Sequence, residues 1–205
     1  KLMDKLTPMA QRIGAINCIV VQPDGALHGF NNDGFGYIQS LKDKQPSWRA
    51  DTGPITVLGC GGGARAVVIS LLDEGAQEIR LINRTRAKAE ELSAANPAVV
   101  KVFDWSERHA ALEGAAMLVN TTNQGMYGQP ALDIQLDALP KSALVSDLIY
   151  IPLETPLLAA ARARGNVTTN GLGMLLNQAI PAFEAWFGVK PEITEELRQA
   201  VLATF

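Results

Sequence analysis

The sequence predicts an α/β fold: a doubly wound parallel sheet with helices on both faces, beside the remainder of a smaller α/β unit. Three observations predict it. From Ile55 onward, short apolar strand-like runs alternate with helical patterns, the order that gives a parallel sheet. A glycine-rich turn, Gly59-Cys60-Gly61-Gly62-Gly63-Ala64, sits between one such strand and one such helix. Upstream of both, two strand-like runs flank Pro23-Asp24-Gly25, the composition of a hairpin turn.

Taken in order, residues 1–13 read as the end of an amphipathic helix, with Leu2, Met3, Leu6, Met9 and Ile13 as its apolar positions. Ile16 to Val21 and Ala26 to Phe30 read as the two strands of the hairpin. Asn31-Asn32-Asp33-Gly34 follows, and Phe35 to Leu41 begins a helix. The polar stretch 42–53, with Pro46, Gly53 and then Pro54, reads as a linker. Ile55 to Leu58 is then a strand, Ala64 to Leu72 a helix, Glu78 to Ile82 a strand and 86–95 a helix. Val99 to Phe103, Met117 to Val119 and Leu144 to Ser146 are three more strands. Thr155 to Arg164 is helical and ends at Gly165, a fitting C-cap. Helices over Leu172 to Phe187 and 191–203 close the chain. This divides it into 1–40, 41–172 and 173–205.

With 205 residues, 47% of them apolar and 19% charged, the chain suits a globular core rather than disorder. Its formal net charge of -3 gives no general attraction to nucleic acid or to an anionic membrane, so any anion site must be local. No apolar run is long enough to span a bilayer, and neither partner class is expected. Cys18 and Cys60 are too few for a metal cluster, and a reduced pair in the cytoplasm is the expected state. The chain opens at Lys1 with a helical pattern already running, so an N-terminal piece is expected to precede it.

The glycine turn has the strand–turn–helix context that a dinucleotide site requires. Gly59 permits the tight turn, Gly61 lets backbone approach a pyrophosphate, and Ala64 allows close helix–strand packing, with helix N–H groups aimed at the phosphates. The next strand ends in Asn83-Arg84-Thr85, followed by Arg86 and Lys88. An enzyme of the NAD type has an acid near this point for the ribose hydroxyls. No acid occurs here before Glu90, and the basic cluster favours a 2′-phosphate, hence NADP. The alternative is a helix start with Thr85 as N-cap and solvated basic side chains.

Other residues are weak signals one at a time. Asp33 alone reads as a helix cap, Asn17 as a satisfied buried amide, Tyr150 as core and Gln178 as an exposed helix position. Asn120-Thr121-Thr122 and Asp147-Leu148-Ile149-Tyr150 fall at strand ends on the side where open α/β sheets bind ligands.

Together the motifs resemble the shikimate dehydrogenase family in order and spacing. They are Gly14-Ala15-Ile16-Asn17, Asn31-Asn32-Asp33-Gly34, the glycine turn with Arg65, Asn83-Arg84-Thr85, and Asn120-Thr121-Thr122 with Gly125-Met126. Asp147-Leu148-Ile149-Tyr150 with Pro152, Thr155 and Pro156, and Gly171-Leu172-Gly173-Met174-Leu175 with Gln178, complete the series. The match runs from about residue 14 to 188.

The resemblance implies a Rossmann-like NADP domain joined to a smaller substrate-binding α/β domain. It also implies the reversible NADP-linked reduction of 3-dehydroshikimate to shikimate in aromatic amino-acid biosynthesis. By it, Gly59, Cys60, Gly61, Gly62 and Gly63 meet the pyrophosphate, and Asn83, Arg84, Thr85, Arg86 and Lys88 meet the adenosine 2′-phosphate. Thr122 also belongs to the cofactor site, and Leu148 and Gly171 lie near the nicotinamide. Asn17, Asp33, Tyr150 and Gln178 contact substrate, with Asp33 the acid–base partner of a lysine.

Departures accompany the match. The family's N-terminal serine pair and its Asn-Val-Thr…Lys segment have no counterpart. That lysine is expected a few residues before Lys1, which does not inherit its role. The chain as given is therefore expected to bind NADP without turnover. Cys18 and Asn32 replace threonines, and Asn123 replaces a serine. A quinate/shikimate dehydrogenase of broader specificity and a non-catalytic metabolite sensor are the alternatives, and a homodimer is left open.

Overall fold

Two sheets of different character organise the protein, whose computed structural model describes residues 2–205. Lys1 lies outside the described residues. The larger sheet holds β4 (Ile55–Leu58), β5 (Ile79–Ile82), β6 (Val100–Phe103), β7 (Met117–Asn120), β8 (Leu144–Asp147) and β9 (Val167–Thr169). Its order is β6-β5-β4-β7-β8-β9, every pairing parallel. All four residues of β4, β7 and β8 are buried, as parallel strands covered on both faces require. Val57 faces one core cluster and its neighbour Leu58 the other, the two-residue period of a strand. Chain order reverses between β4 and β7, which leaves a crevice at their C-terminal ends.

The smaller sheet has the order β1-β3-β2. Here β2 (Cys18–Val21) and β3 (Leu27–Phe30) form the expected antiparallel hairpin, and β1 (Lys5–Leu6) lies parallel to β3. The expectation of an unbroken helix to residue 13 is thus corrected. Lys5 and Leu6 are extended opposite His28 and Gly29, and α1 (Pro8–Ile13) begins only after them. Thr7 accepts the Ala10 N–H and Pro8 takes the first turn, where its missing N–H costs nothing. Gly14, at φ +75°, ends the helix.

Four helices dress the large sheet: α2 (Asp33–Lys44), α3 (Gly62–Asp73), α4 (Arg86–Ser93) and α5 (Pro156–Ala163). The first starts two residues earlier than expected and runs three further, which shortens the linker. Strand β9 was not expected: three half-polar residues at a sheet edge carry too little periodicity. Helix α6 (Leu172–Phe187) packs on α2, and α7 (Glu195–Leu202) follows.

The α2–α6 contact is close because glycine lines it on both sides. A Cβ at Gly36 would sit 2.7 Å from the Gln178 nitrogen and the Met174 carbonyl oxygen. A Cβ at Gly173 would sit 2.8 Å from the Ser40 Cβ. Gly34, next to Asp33 at the start of α2, in turn lies against Ser70 and Ala66 of α3, the helix that the glycine turn begins.

Candidate active site

The crevice end of β4 opens onto the glycine turn. Gly59 has φ +106°, and a Cβ there would lie 2.5 Å from Thr121 Oγ1, so the position admits glycine only. Thr121 Oγ1 donates to the Leu58 carbonyl at 2.7 Å and fixes the floor. Gly61 precedes α3 and no side chain caps the helix. The first helical bond is Arg65 N–H to the Gly61 carbonyl at 3.1 Å, which leaves the Gly62, Gly63 and Ala64 N–H groups ahead of it. Space over Gly61 and Gly62 is open, and Ala64 is fully buried against the strands. A diphosphate fits this cradle, since the bare N–H groups and the helix dipole both favour an anion.

Around the turn is a cleft of about 230 Å³ lined by Gly59, Cys60, Gly61, Asn83, Arg84, Trp105 and residues 121–124. Asn83 Nδ2 donates to the Thr85 carbonyl at 2.9 Å and closes the loop after β5. Arg84 and Lys88 are exposed and form no ion pair among the described residues. Arg86 differs from them: it bonds Glu90 at 2.9 Å and Asp104 at 2.7 Å. Thr85 holds the N-cap position of α4 without a side-chain capping bond. Burial pushes the Cys60 thiol up to about 11, so it stays neutral near pH 7. Gln124 lines the cleft, and its Oε1 is buried without a donor.

Toward β8, Leu148 is clamped between glycines. A Cβ on Gly63 would stand 3.1 Å from Leu148 Cδ2, and one on Gly171 would overlap the Leu148 carbonyl. Below it lies the buried carboxylate of Asp147. It accepts from Asn120 Nδ2 at 3.0 Å, the Ile149 N–H at 3.1 Å and Thr155 Oγ1 at 2.7 Å. Burial pushes its pKa up to about 6 against the opposing pull of those three bonds. Asn120 Oδ1 in turn accepts the Thr122 N–H at 3.0 Å and the Thr122 hydroxyl at 2.7 Å. One network therefore sets both the loop after β7 and the loop after β8.

Across the crevice, three of the expected substrate residues meet. Asn17 Nδ2 donates to Asp33 Oδ1 at 2.8 Å and to Gln178 Oε1 at 3.0 Å. Its Oδ1 accepts the Asn32 N–H at 3.0 Å. Asn17 is exposed, so its reading as a buried amide is corrected. Asp33 is the first residue of α2 rather than its cap, and its carboxylate is held by Asn17. Burial raises its pKa, with the bonds from Asn17 and Asn31 acting in the opposite sense. Tyr150 lies apart from this bonded group: its ring packs on Phe205, with centroids 5.5 Å apart. Sequence reasoning missed Trp105 and Gln124 as cleft residues. The fold of the 104–108 turn brings Trp105 there, and no motif marks it.

The chain's relatives agree with this geometry. Residues 41–128 match the family described as shikimate / quinate 5-dehydrogenase, and residues 171–202 match the shikimate 5'-dehydrogenase C-terminal domain. The shikimate dehydrogenase (NADP(+)) of Rhodospirillum rubrum is 55% identical over 204 residues, which cover 98% of this chain and 72% of that protein. The chain belongs to the shikimate dehydrogenase family. The corresponding protein of Paramagnetospirillum magneticum is 52% identical over 203 residues, covering 99% of this chain and 74% of its own.

Solved structures of the family superpose along almost all of the chain. The shikimate 5-dehydrogenase of Thermus thermophilus, in complex with NADP(H) and shikimate, gives a TM-score of 0.85 at 32% identity, covering 99% of this chain and 73% of that one. The quinate dehydrogenase of Corynebacterium glutamicum, in complex with NAD, gives 0.91 at 29% identity, covering 98% and 72%. The doubly wound order described above is thus shared within the shikimate dehydrogenase family.

Proposed function

We propose that the chain serves the reversible NADP-linked reduction of 3-dehydroshikimate to shikimate, a step of aromatic amino-acid biosynthesis. The observation that carries the cofactor half is the pair Arg84 and Lys88, exposed and unpaired beside the glycine turn, where an NAD enzyme would place an acid. Relatives named NADP(+) enzymes, 52% and 55% identical, support the same choice. Bound NADPH would supply the hydride for the reduction, and NADP⁺ would accept it in the reverse direction. The chain's own part is to hold the diphosphate on the N–H groups of Gly62 to Ala64 and the 2′-phosphate on Arg84 and Lys88. Leu148 and Gly171 border the nicotinamide.

On the substrate side, Asn17 joins Asp33 and Gln178 in one polar cluster, suited to hydroxyls of a polyhydroxylated ring. Asp33 stands among them as the acid–base carboxylate. Burial raises its pKa above the ordinary carboxylate value, and a positioned acid–base group contributes roughly 10²–10⁴-fold. Tyr150 adds a hydroxyl from the loop after β8. The roles of Cys60, Asn83, Thr85, Arg86 and Thr122 in cofactor binding belong to the same proposal, with Arg86 acting through its ion pairs on the α4 start. So do the division at 40 and 172, a homodimer and a cytoplasmic location. Sedimentation tests the dimer.

Calorimetric titration with NADP and NAD tests the cofactor assignment, with NADP expected to bind at least about tenfold tighter. Equal affinities would overturn it. Consumption of NADPH on adding 3-dehydroshikimate, in protein carrying the family's lysine segment, tests the reaction. Metabolite binding without turnover in that protein would favour a sensor, and equal rates with quinate the broader dehydrogenase.

A further inference from the structure

We infer that the Trp105 indole is the surface on which the adenine of the cofactor stacks. The inference rests on the NADP reading above and extends it to a residue that the glycine and basic motifs do not include.

Position comes first. Trp105 follows β6, the strand beside β5, and lines the same cleft as Asn83, Arg84 and Gln124. It is the one aromatic ring in that lining among the described residues. Arg84 sits there as the 2′-phosphate ligand, and the 2′-phosphate and the adenine belong to one nucleoside. The nicotinamide end lies elsewhere, beyond Gly63 at Leu148.

The ring is also held ready. Asp104 and Glu107 close a capping box around the single 3₁₀ turn Trp105–Glu107, and the Glu107 carboxylate accepts the Asp104 N–H at 2.6 Å. The Asp104 carboxylate accepts from Arg86 at 2.7 Å, which ties this turn to the start of α4, the element that follows Arg84 and carries Lys88. Arg108 backs the indole, its guanidinium carbon 5.2 Å from the ring centroid. Arg108 is itself immobilised: it donates to the Trp105 carbonyl at 2.9 Å and the Asp133 carbonyl at 2.7 Å, and it pairs with the Asp133 carboxylate. Its side chain is only 12% exposed. Part of the indole packs against the cluster of Leu58, Ile82 and Leu118. A base that stacks on this ring orders no further side chain, which conserves binding free energy.

Adenosine 2′,5′-bisphosphate (2′,5′-ADP) carries the adenine and 2′-phosphate without the nicotinamide, so it is the probe. The sequence has three tryptophans, and Trp48→Phe with Trp186→Phe leaves Trp105 as the only one, read with excitation beyond the tyrosine band. Titration of that protein with 2′,5′-ADP is expected to quench its emission, while nicotinamide mononucleotide leaves it unchanged. Trp105→Leu, which keeps an apolar side chain on the core, is expected to weaken 2′,5′-ADP about ten- to hundredfold, the range of one base–aromatic stack. Trp105→Phe recovers most of the affinity.

Unchanged emission on saturation with 2′,5′-ADP would overturn the inference, as would a Trp105→Leu protein with wild-type affinity. A loss shared equally by nicotinamide mononucleotide would reduce Trp105 to a packing residue. Should Trp105→Leu not fold, the emission titration decides alone. Failure of the unmodified chain to bind 2′,5′-ADP at all would instead sink the NADP reading, and this inference with it.

Discussion

The cofactor cleft is shaped mainly by main chain, whereas the substrate cluster is shaped by side chains that meet from distant parts of the sequence. At the cleft, Gly59 turns the chain, Gly62 to Ala64 present bare N–H groups, and Gly171 lies flat against a carbonyl. At the substrate cluster, Asn17 comes from the approach to β2, Asp33 from α2, and Gln178 from α6, 161 residues beyond Asn17. A backbone site tolerates many side chains and few added atoms. A side-chain site tolerates a changed donor or acceptor less than it tolerates added atoms at its margin. The two halves should therefore fail differently under mutation.

The largest effect belongs to the side-chain half. Asp33→Asn keeps the shape but removes the titrating group, and turnover in catalytically competent protein is expected to fall roughly 10²–10⁴-fold while NADP affinity holds. Wild-type turnover would leave Asp33 as a structural residue. Next, Gly171→Ala adds one carbon to the backbone half where the Leu148 carbonyl already stands. Overpacking that backbone cannot relieve is expected to cost about 3 kcal/mol in urea unfolding and to weaken NADP with it. A variant as stable as the parent would show that the loop yields.

Asp147 gives a comparable effect through pH. Its folded pKa of about 6 lies above the ordinary 3.8, so the native state binds this proton more tightly than the unfolded chain. The resulting stabilisation is full below pH 3.8 and lost as pH rises through 6. Measured against Asp147→Asn, the parent should gain roughly 2 kcal/mol between pH 7 and pH 4. Parallel profiles would show that the bonds from Thr155, Ile149 and Asn120 hold the carboxylate ionised. Arg84→Ala is the gentlest of the four: NADP affinity should drop about tenfold or more while NAD affinity stays. Equal losses for both would detach Arg84 from the 2′-phosphate.

The contrast also explains what could be read before any coordinates were known. Backbone sites leave local marks: the glycine turn between β4 and α3 sits where its pattern put it, and so does the basic segment after β5. The alternating strands and helices fixed the doubly wound order for a simple reason, since each parallel connection needs a crossover. Asn17, Asp33 and Gln178 came through resemblance, because nothing in their own surroundings says that they touch. Short or weakly patterned pieces escaped: β1 has two residues and β9 three. Trp105 escaped for another reason, as one aromatic in a polar turn looks like any core residue until its neighbours are known. Gln124 is legible only as an acceptor left without a donor.

One glycine couples the two halves. Gly36 lies against the main chain of Gln178, with 2.7 Å from its missing Cβ to that nitrogen. It works as a length standard, since the separation of α2 and α6 is the thickness of two backbones and nothing more. Gln178 rides on one of those helices, and Asp33, which shares the Asn17 amide with it, begins the other. A single methyl at position 36 would lengthen the gauge and carry Gln178 away from Asn17 without altering any polar group. The reach of the substrate amides is in that sense set by a hydrogen atom on a residue that touches no ligand.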